Sequence, residues 1–170
     1  VGSPISTPPK PGGSIGAIQQ LAVLGLSTLE LGWVQSVRVT EATCALIKSA
    51  AETNNILVSV HAPYFINLNA DDEEWPKSRK RLMDAAVFGY LAGATDIIFH
   101  PGSYFGKPPE EVLPLALSRL ESCVAELKAA GNPVTLRGET MGKSAMLGSL
   151  DDCVKMSQSI AIIDFGSQYT

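Results

Sequence analysis

Apolar positions along the chain alternate between a helical period and a strand-like one. Ile15, Ile18, Leu21 and Ala22 fall at helical spacing, and Gly25 is well placed to end that helix. Leu26 to Val34 then reads as a strand. Thr40 reads as the N-cap of a helix from Glu41 to Asn54, with Ala42, Ala45, Leu46 and Ala50 along one side. Ile56 to His61 is the next strand. A loop carrying Asn67, Asn69 and the acidic run Asp71 to Glu74 leads into a helix from about Pro76 to Ala92, closed by Gly93. Thr95 to His100 reads as a strand. Pro108-Pro109-Glu110-Glu111 opens a long helix to about Ala130, with proline and acids in the first turn, where the helix dipole favours them. Gly131-Asn132-Pro133 breaks it. Val134 to Glu139 then reads as a strand, Leu150 to Ser157 as a short helix and Ile160 to Phe165 as a last strand.

Repeated strand–helix alternation without a hairpin signal implies an α/β fold with a parallel sheet and helical crossovers. The ends of the strands choose between an open sheet and a closed barrel. Glu30, His61, His100, Glu139 and Asp164 lie at or near successive strand ends. In a (β/α)8 TIM barrel all such ends converge on one mouth, whereas an open sheet spreads them along an edge. The expectation is therefore an incomplete TIM barrel. A complete one takes about 250 residues. About five to six βα units are legible, with Val1 to Ile5 as the end of an earlier strand. The chain has no initiator Met and reads as a single partial barrel domain over 1–170. Part of the first strand and at least the last two βα units are expected to lie outside it.

Composition narrows the class. The 170 residues suffice for a domain that buries roughly 70% of its unfolded surface. Apolar residues make up 45% and charged residues 18%, an ordinary globular profile. No apolar run approaches the roughly 20 residues that cross a bilayer, and the Pro/Gly-rich N-terminus does not read as a signal peptide. Cys44, Cys123 and Cys153 are odd in number and widely spaced, which suits reduced, core-facing thiols in a cytoplasmic protein. A net charge of −4 argues mildly against a nucleic-acid partner, although bound metal ions would add positive charge. Oligomeric state is not legible.

His61 sits in Val58-Ser-Val-His-Ala-Pro-Tyr64 and His100 in Ile97-Ile-Phe-His-Pro-Gly102, each directly after its strand and each followed by a loop-forming proline. Either alone suits a satisfied core histidine. As a pair at one mouth they suit a metal, since neutral imidazole is the commonest ligand for zinc-like ions. Glu139 adds a carboxylate at a third strand end, and a buried carboxylate needs a cation or hydrogen bonds. Asp164 is a candidate fourth ligand or an acceptor behind a histidine; Glu30 reads more readily as a salt-bridge residue. Two imidazoles and a carboxylate with open positions suit hydrolytic zinc chemistry, in which the pKa of a bound water falls from about 15.7 towards 7. The same set serves a manganese- or magnesium-assisted isomerase. Gly142-Lys143-Ser144 lacks the preceding glycine spacing of a phosphate loop.

Taken together, His61-Ala-Pro-Tyr-Phe-Ile-Asn-Leu-Asn69, Lys77-Ser-Arg79, Phe99-His-Pro-Gly-Ser103 and Glu139-Thr-Met-Gly-Lys143 with Leu147-Gly148 resemble the endonuclease IV family. These are metal-dependent apurinic/apyrimidinic endonucleases within the xylose-isomerase-like barrels. The resemblance implies a trinuclear zinc cluster that incises DNA beside an abasic site. His61, His100, Glu139 and Asp164 would be ligands, Glu139 the bridging, catalytic carboxylate, and Tyr64 and Asn67 would contact the DNA. The chain departs from the family at Ser167, where a histidine is expected, and at Met141-Gly-Lys-Ser144, which replaces a glycine-rich loop. The tail from Ile162 to Thr170 resembles the opening strand of the amidotransferase domain of GMP synthetase, so 160–170 reads as either a barrel strand or a junction with foreign sequence. A sugar isomerase or epimerase, and a non-catalytic barrel relative, are the alternatives.

Overall fold

In the computed structural model of the chain, the described residues are 12–166, with side chains described through residue 161. Their elements run α1 (Gly13–Val23), β1 (Thr28–Gly32), α2 (Glu41–Asn54), β2 (Leu57–His61), α3 (Trp75–Leu91), β3 (Ala94–Phe99), β4 (Gly102–Ser103), α4 (Pro109–Ala129), β5 (Thr135–Gly138), β6 (Met146–Leu147) and α5 (Leu150–Gly166). Four strands form one parallel sheet in the order β1-β2-β3-β5. Each crossover between them carries a helix, as parallel pairing requires. The fold is part of a TIM barrel.

Burial alternates along the strands. Val58, Val60, Ile97, Phe99 and Leu136 are at most 2% exposed and face the helices. Ser59, His61, Asp96, Ile98 and Arg137 alternate with them and line the opposite face, which is only partly covered among the described residues. That second face is the inner wall of the barrel. Arg137 and Asp96 pair across it at 2.6 Å. Full burial of a side chain such as Phe99 contributes roughly 1.5–3 kcal/mol.

Helix α2 begins as its sequence directs, for Thr40 Oγ1 accepts from the Thr43 amide at 3.2 Å. Its buried face is Cys44, Ile47 and Ala51 rather than the stripe through Ala42, Ala45 and Leu46; Leu46 is 59% exposed. The small alanines tolerate either side, so the larger Ile47 decides the orientation. All three cysteines are free and helical, with Cys44 and Cys123 buried and Cys153 half-buried.

The expected last strand is overturned. Ile160 to Phe165 continues α5, which runs unbroken from Leu150 to Gly166. No glycine or proline interrupts that stretch, and Met156 and Ile160, one helical turn apart, are buried together. Among the described residues the parallel sheet therefore holds four strands instead of the five expected. The structure adds a short antiparallel ladder between β4 and β6 that joins two strand-end loops. The Val1 to Ile5 expectation lies outside the described residues. No described helix is long and apolar enough to cross a membrane.

Candidate metal centre

The residue closing β2 is His61, and the first residues beyond β3 and β5 are His100 and Glu139. Backbone pairing carries these ends to one place: the Ala62 amide donates to Ile98 O, and the Glu139 amide to Phe99 O at 2.9 Å. The side chains meet there. Glu139 Oε2 lies 3.1 Å from His61 Nε2 and 3.0 Å from His100 Nε2. Side-chain exposure rises from 12% for His61 through 23% for His100 to 44% for Glu139, so the group opens toward the mouth.

His61 Nδ1 lies 2.9 Å from Ala62 O. A carbonyl oxygen only accepts, so Nδ1 carries the proton, and in the neutral ring Nε2 is a bare lone pair. That lone pair points at a carboxylate oxygen. Two acceptors this close require a proton or a cation between them. The arrangement fits a metal: bond lengths of about 2.0–2.2 Å place tetrahedral donors roughly 3.3–3.6 Å apart, a few tenths of an ångström beyond the two His–Glu spacings of 3.1 and 3.0 Å. The three donors form the one such group of three or more potential ligands among the described residues. The Nδ1–H contact is the kind of outer-shell hydrogen bond that would hold a ligating imidazole in its tautomer.

Tyr64 stacks on His100, with ring centroids 4.9 Å apart and planes 19° from parallel, and meets His61 edge-on at 5.3 Å. It is 48% exposed, so it supports the imidazoles while keeping a surface open to the mouth. Asn67 is elsewhere. Its Oδ1 accepts from the Asn69 amide at 2.8 Å and the Ser103 amide at 3.4 Å, tying neighbouring loops together. Glu30 is exposed within β1, opposite Ser59 and short of the strand's end. Asp164 lies on helical backbone in α5 rather than at a strand end, and its side chain is outside the described residues.

Sequence reasoning missed a part-buried pair that joins two strand-end loops. The Tyr104 hydroxyl donates to Asp152 Oδ2 at 2.6 Å, and the same oxygen accepts from the Gly148 and Ser149 amides at 3.1 and 2.9 Å. Burial works to raise the Asp152 carboxyl, but its hydrogen bonds outweigh burial and hold it below the ordinary carboxylate range. Burial, and then the bond and charge of Asp152, push the Tyr104 hydroxyl up to about 12. A signal for half of this stands in the sequence: Ser149-Leu-Asp-Asp152 is a helix-capping pattern, and the Asp152 amide donates back to Ser149 Oγ at 3.2 Å.

A wide cleft at the opposite ends of the strands, between Lys48, Glu52, Tyr90, Asp96 and Arg137, shares no residue with the triad. Barrel enzymes work at the C-terminal strand ends, where the triad stands.

A partial parallel barrel with two histidines and a glutamate gathered at its mouth defines the class: a (β/α) barrel with a candidate metal site at the C-terminal ends of its strands. The chain belongs to the xylose isomerase-like TIM barrel family, whose model matches residues 18–166. It is 32% identical over 157 residues to an uncharacterized protein of Methanocaldococcus jannaschii, covering 90% of this chain and 56% of that one. It is 31% identical over 147 residues to Endonuclease 4 of Thermus thermophilus, covering 81% of this chain and 50% of the other. The crystal structure of a Thermus thermophilus endonuclease IV is similar with a TM-score of 0.59 at 27% identity, over 85% of this chain and 53% of that one. A D-psicose 3-epimerase shares the fold with a TM-score of 0.69 at 14% identity, over 88% of this chain and 55% of that one. The chain thus spans about half the length of the relatives it matches.

Proposed function

We propose that the protein is an endonuclease IV-like, metal-dependent phosphodiester hydrolase acting at abasic sites in DNA. The observation that carries this reading is the convergence of two imidazole nitrogens on one Glu139 oxygen, at 3.1 and 3.0 Å, beneath the ring of Tyr64. The 31% identity to a protein named Endonuclease 4 supports it. So does the rim. Its strand-end loops carry Trp33, Tyr64, Phe65 and Phe105 together with the exposed cations Arg38, Lys107 and Lys143. Aromatic faces that stack on bases and cations that meet phosphates are what a nucleic-acid surface requires.

His61, His100 and Glu139 would hold the ion, zinc first, with manganese or magnesium as alternatives. Bound there, it supplies Lewis acidity toward a phosphoryl oxygen. Glu139 is the catalytic carboxylate: its Oε2 faces both imidazole nitrogens, and its charge would offset that of the ion at the open edge of the site. Tyr64 fills the gap that a missing base leaves, and Asn67 braces the loop that presents Tyr64. The three free thiols support a reducing, cytoplasmic setting.

The net charge of −4 favours a second reading, a sugar isomerase or epimerase in which one ion polarises a small polyol. The two readings separate in one assay. Zinc-loaded protein is incubated with a duplex bearing one abasic site, with the intact duplex and with a ketohexose. Incision confined to the abasic duplex is expected; no incision at full metal occupancy rejects the nuclease reading.

A further inference from the structure

We propose that the Tyr104–Asp152 hydrogen bond is a positioning brace that sets the separation of the His100 and Glu139 loops, and through it the zinc affinity of the triad. The inference rests on the metal reading above. Neither residue touches a ligand. Tyr104 belongs to the loop that begins at His100, and Asp152 to the helix that ends the loop begun by Glu139.

Two chains of contact lead from this pair to the ligands. On one side Asp152 Oδ2 holds the Gly148 amide at 3.1 Å, and Gly148 O accepts from the Met141 amide at 2.7 Å, closing the base of the Glu139 loop. Gly148 has φ +130°, and an added Cβ would lie 2.9 Å from Glu139 O, so its backbone is seated directly on the ligand residue. On the other side the Tyr104 amide and Ser103 Oγ both donate to Ala145 O, at 3.1 and 3.0 Å, beside the β4–β6 pairs Gly102–Leu147 and Ser103–Met146. Asn69 Nδ2 donates to Ser103 O and Tyr104 O, so the loop after His61 is tied to the same point.

The brace lies where the loops need it. Glu139 is 44% exposed, so packing alone does not fix its carboxylate, whereas Asp152 is 4% exposed and its accepting oxygen is fully engaged. A side chain held loosely at its tip is positioned by its backbone, and here one buried carboxylate fixes that backbone.

The test is zinc affinity against a chromophoric chelator, read beside the metal-free melting temperature. The proteins are the unaltered chain, Tyr104→Phe, Asp152→Asn, the double variant and Ser159→Ala. Ser159 serves as control, since its hydroxyl bonds Glu121 between α5 and α4, away from the triad. Tyr104→Phe is expected to weaken zinc binding about five- to tenfold, at or just below the roughly tenfold low end for partners bonded directly to a ligand, since it acts one step further from the ion. The double variant should bind about as weakly as the weaker single one, because the two residues act as one unit. Ser159→Ala should melt lower with zinc affinity unchanged. If Tyr104→Phe melts lower but binds zinc within about twofold of the unaltered chain, the pair is structural only and the inference falls while the metal reading stands. If the unaltered chain binds no zinc, both fall.

Discussion

Replacing Glu139 by Gln is expected to lower zinc affinity by more than about 100-fold, exceeding the roughly 10–100-fold of an outer-shell substitution, and to leave the fold intact. Glu139 is the one anionic member of the triad, and both imidazole nitrogens face its Oε2. Gln keeps the shape but loses the charge that offsets a divalent ion. Because the side chain is 44% exposed and outside the core, stability should move by no more than about 0.5 kcal/mol, as for other surface changes. Chelator competition and thermal melting of the metal-free protein read the two effects separately. A variant that keeps its zinc would mean that the ion is held elsewhere.

The second large effect is expected at Gly102. Its φ of +118° disfavours any side chain, and an added Cβ would lie 2.0 Å from Asn67 Oδ1 and 2.8 Å from Asn67 Cα. The neighbour is backbone as well as side chain, so it cannot rotate away. Gly102→Ala should therefore cost about 2–5 kcal/mol, adding backbone strain to overpacking. Urea denaturation should show a lower midpoint at unchanged slope. The same variant should weaken zinc binding, because Gly102 pairs with Leu147 in the ladder joining the His100 and Glu139 loops. Stability close to that of the unaltered chain would mean that the two loops are not packed as described.

What the sequence made legible follows the range of the interactions. Thr40 caps α2 through a bond to a residue three positions on, and local pattern captures that. The convergence of His61, His100 and Glu139 was also legible, since each residue stands directly after an apolar run and the barrel topology brings the strand ends together. Ile160 to Phe165 misled because a short apolar run suits strand and helix equally; the helical pairing of Met156 with Ile160 was the arbiter. Moving that segment into α5 removes the strand end on which Asp164 was to stand. The brace is the opposite case to Thr40. Tyr104 and Asp152 lie 48 positions apart, so the Ser149-x-x-Asp152 spacing, a capping signal the sequence reading passed over, carries nothing of the partner. Asn67 entered as a DNA contact through the family resemblance; the structure adds that its carbonyl oxygen binds the Asn69 and Ser103 amides, a pairing visible only once the loops are folded together.

The central claim is that His61, His100 and Glu139 hold a divalent ion. X-ray absorption at the zinc edge of the zinc-loaded protein tests it most directly. The expected spectrum has nitrogen and oxygen neighbours at about 2.0–2.2 Å, with outer-shell scattering from two imidazoles that diminishes to one in His100→Ala. A sulfur shell at about 2.3 Å, or a spectrum unchanged by His100→Ala, would contradict it.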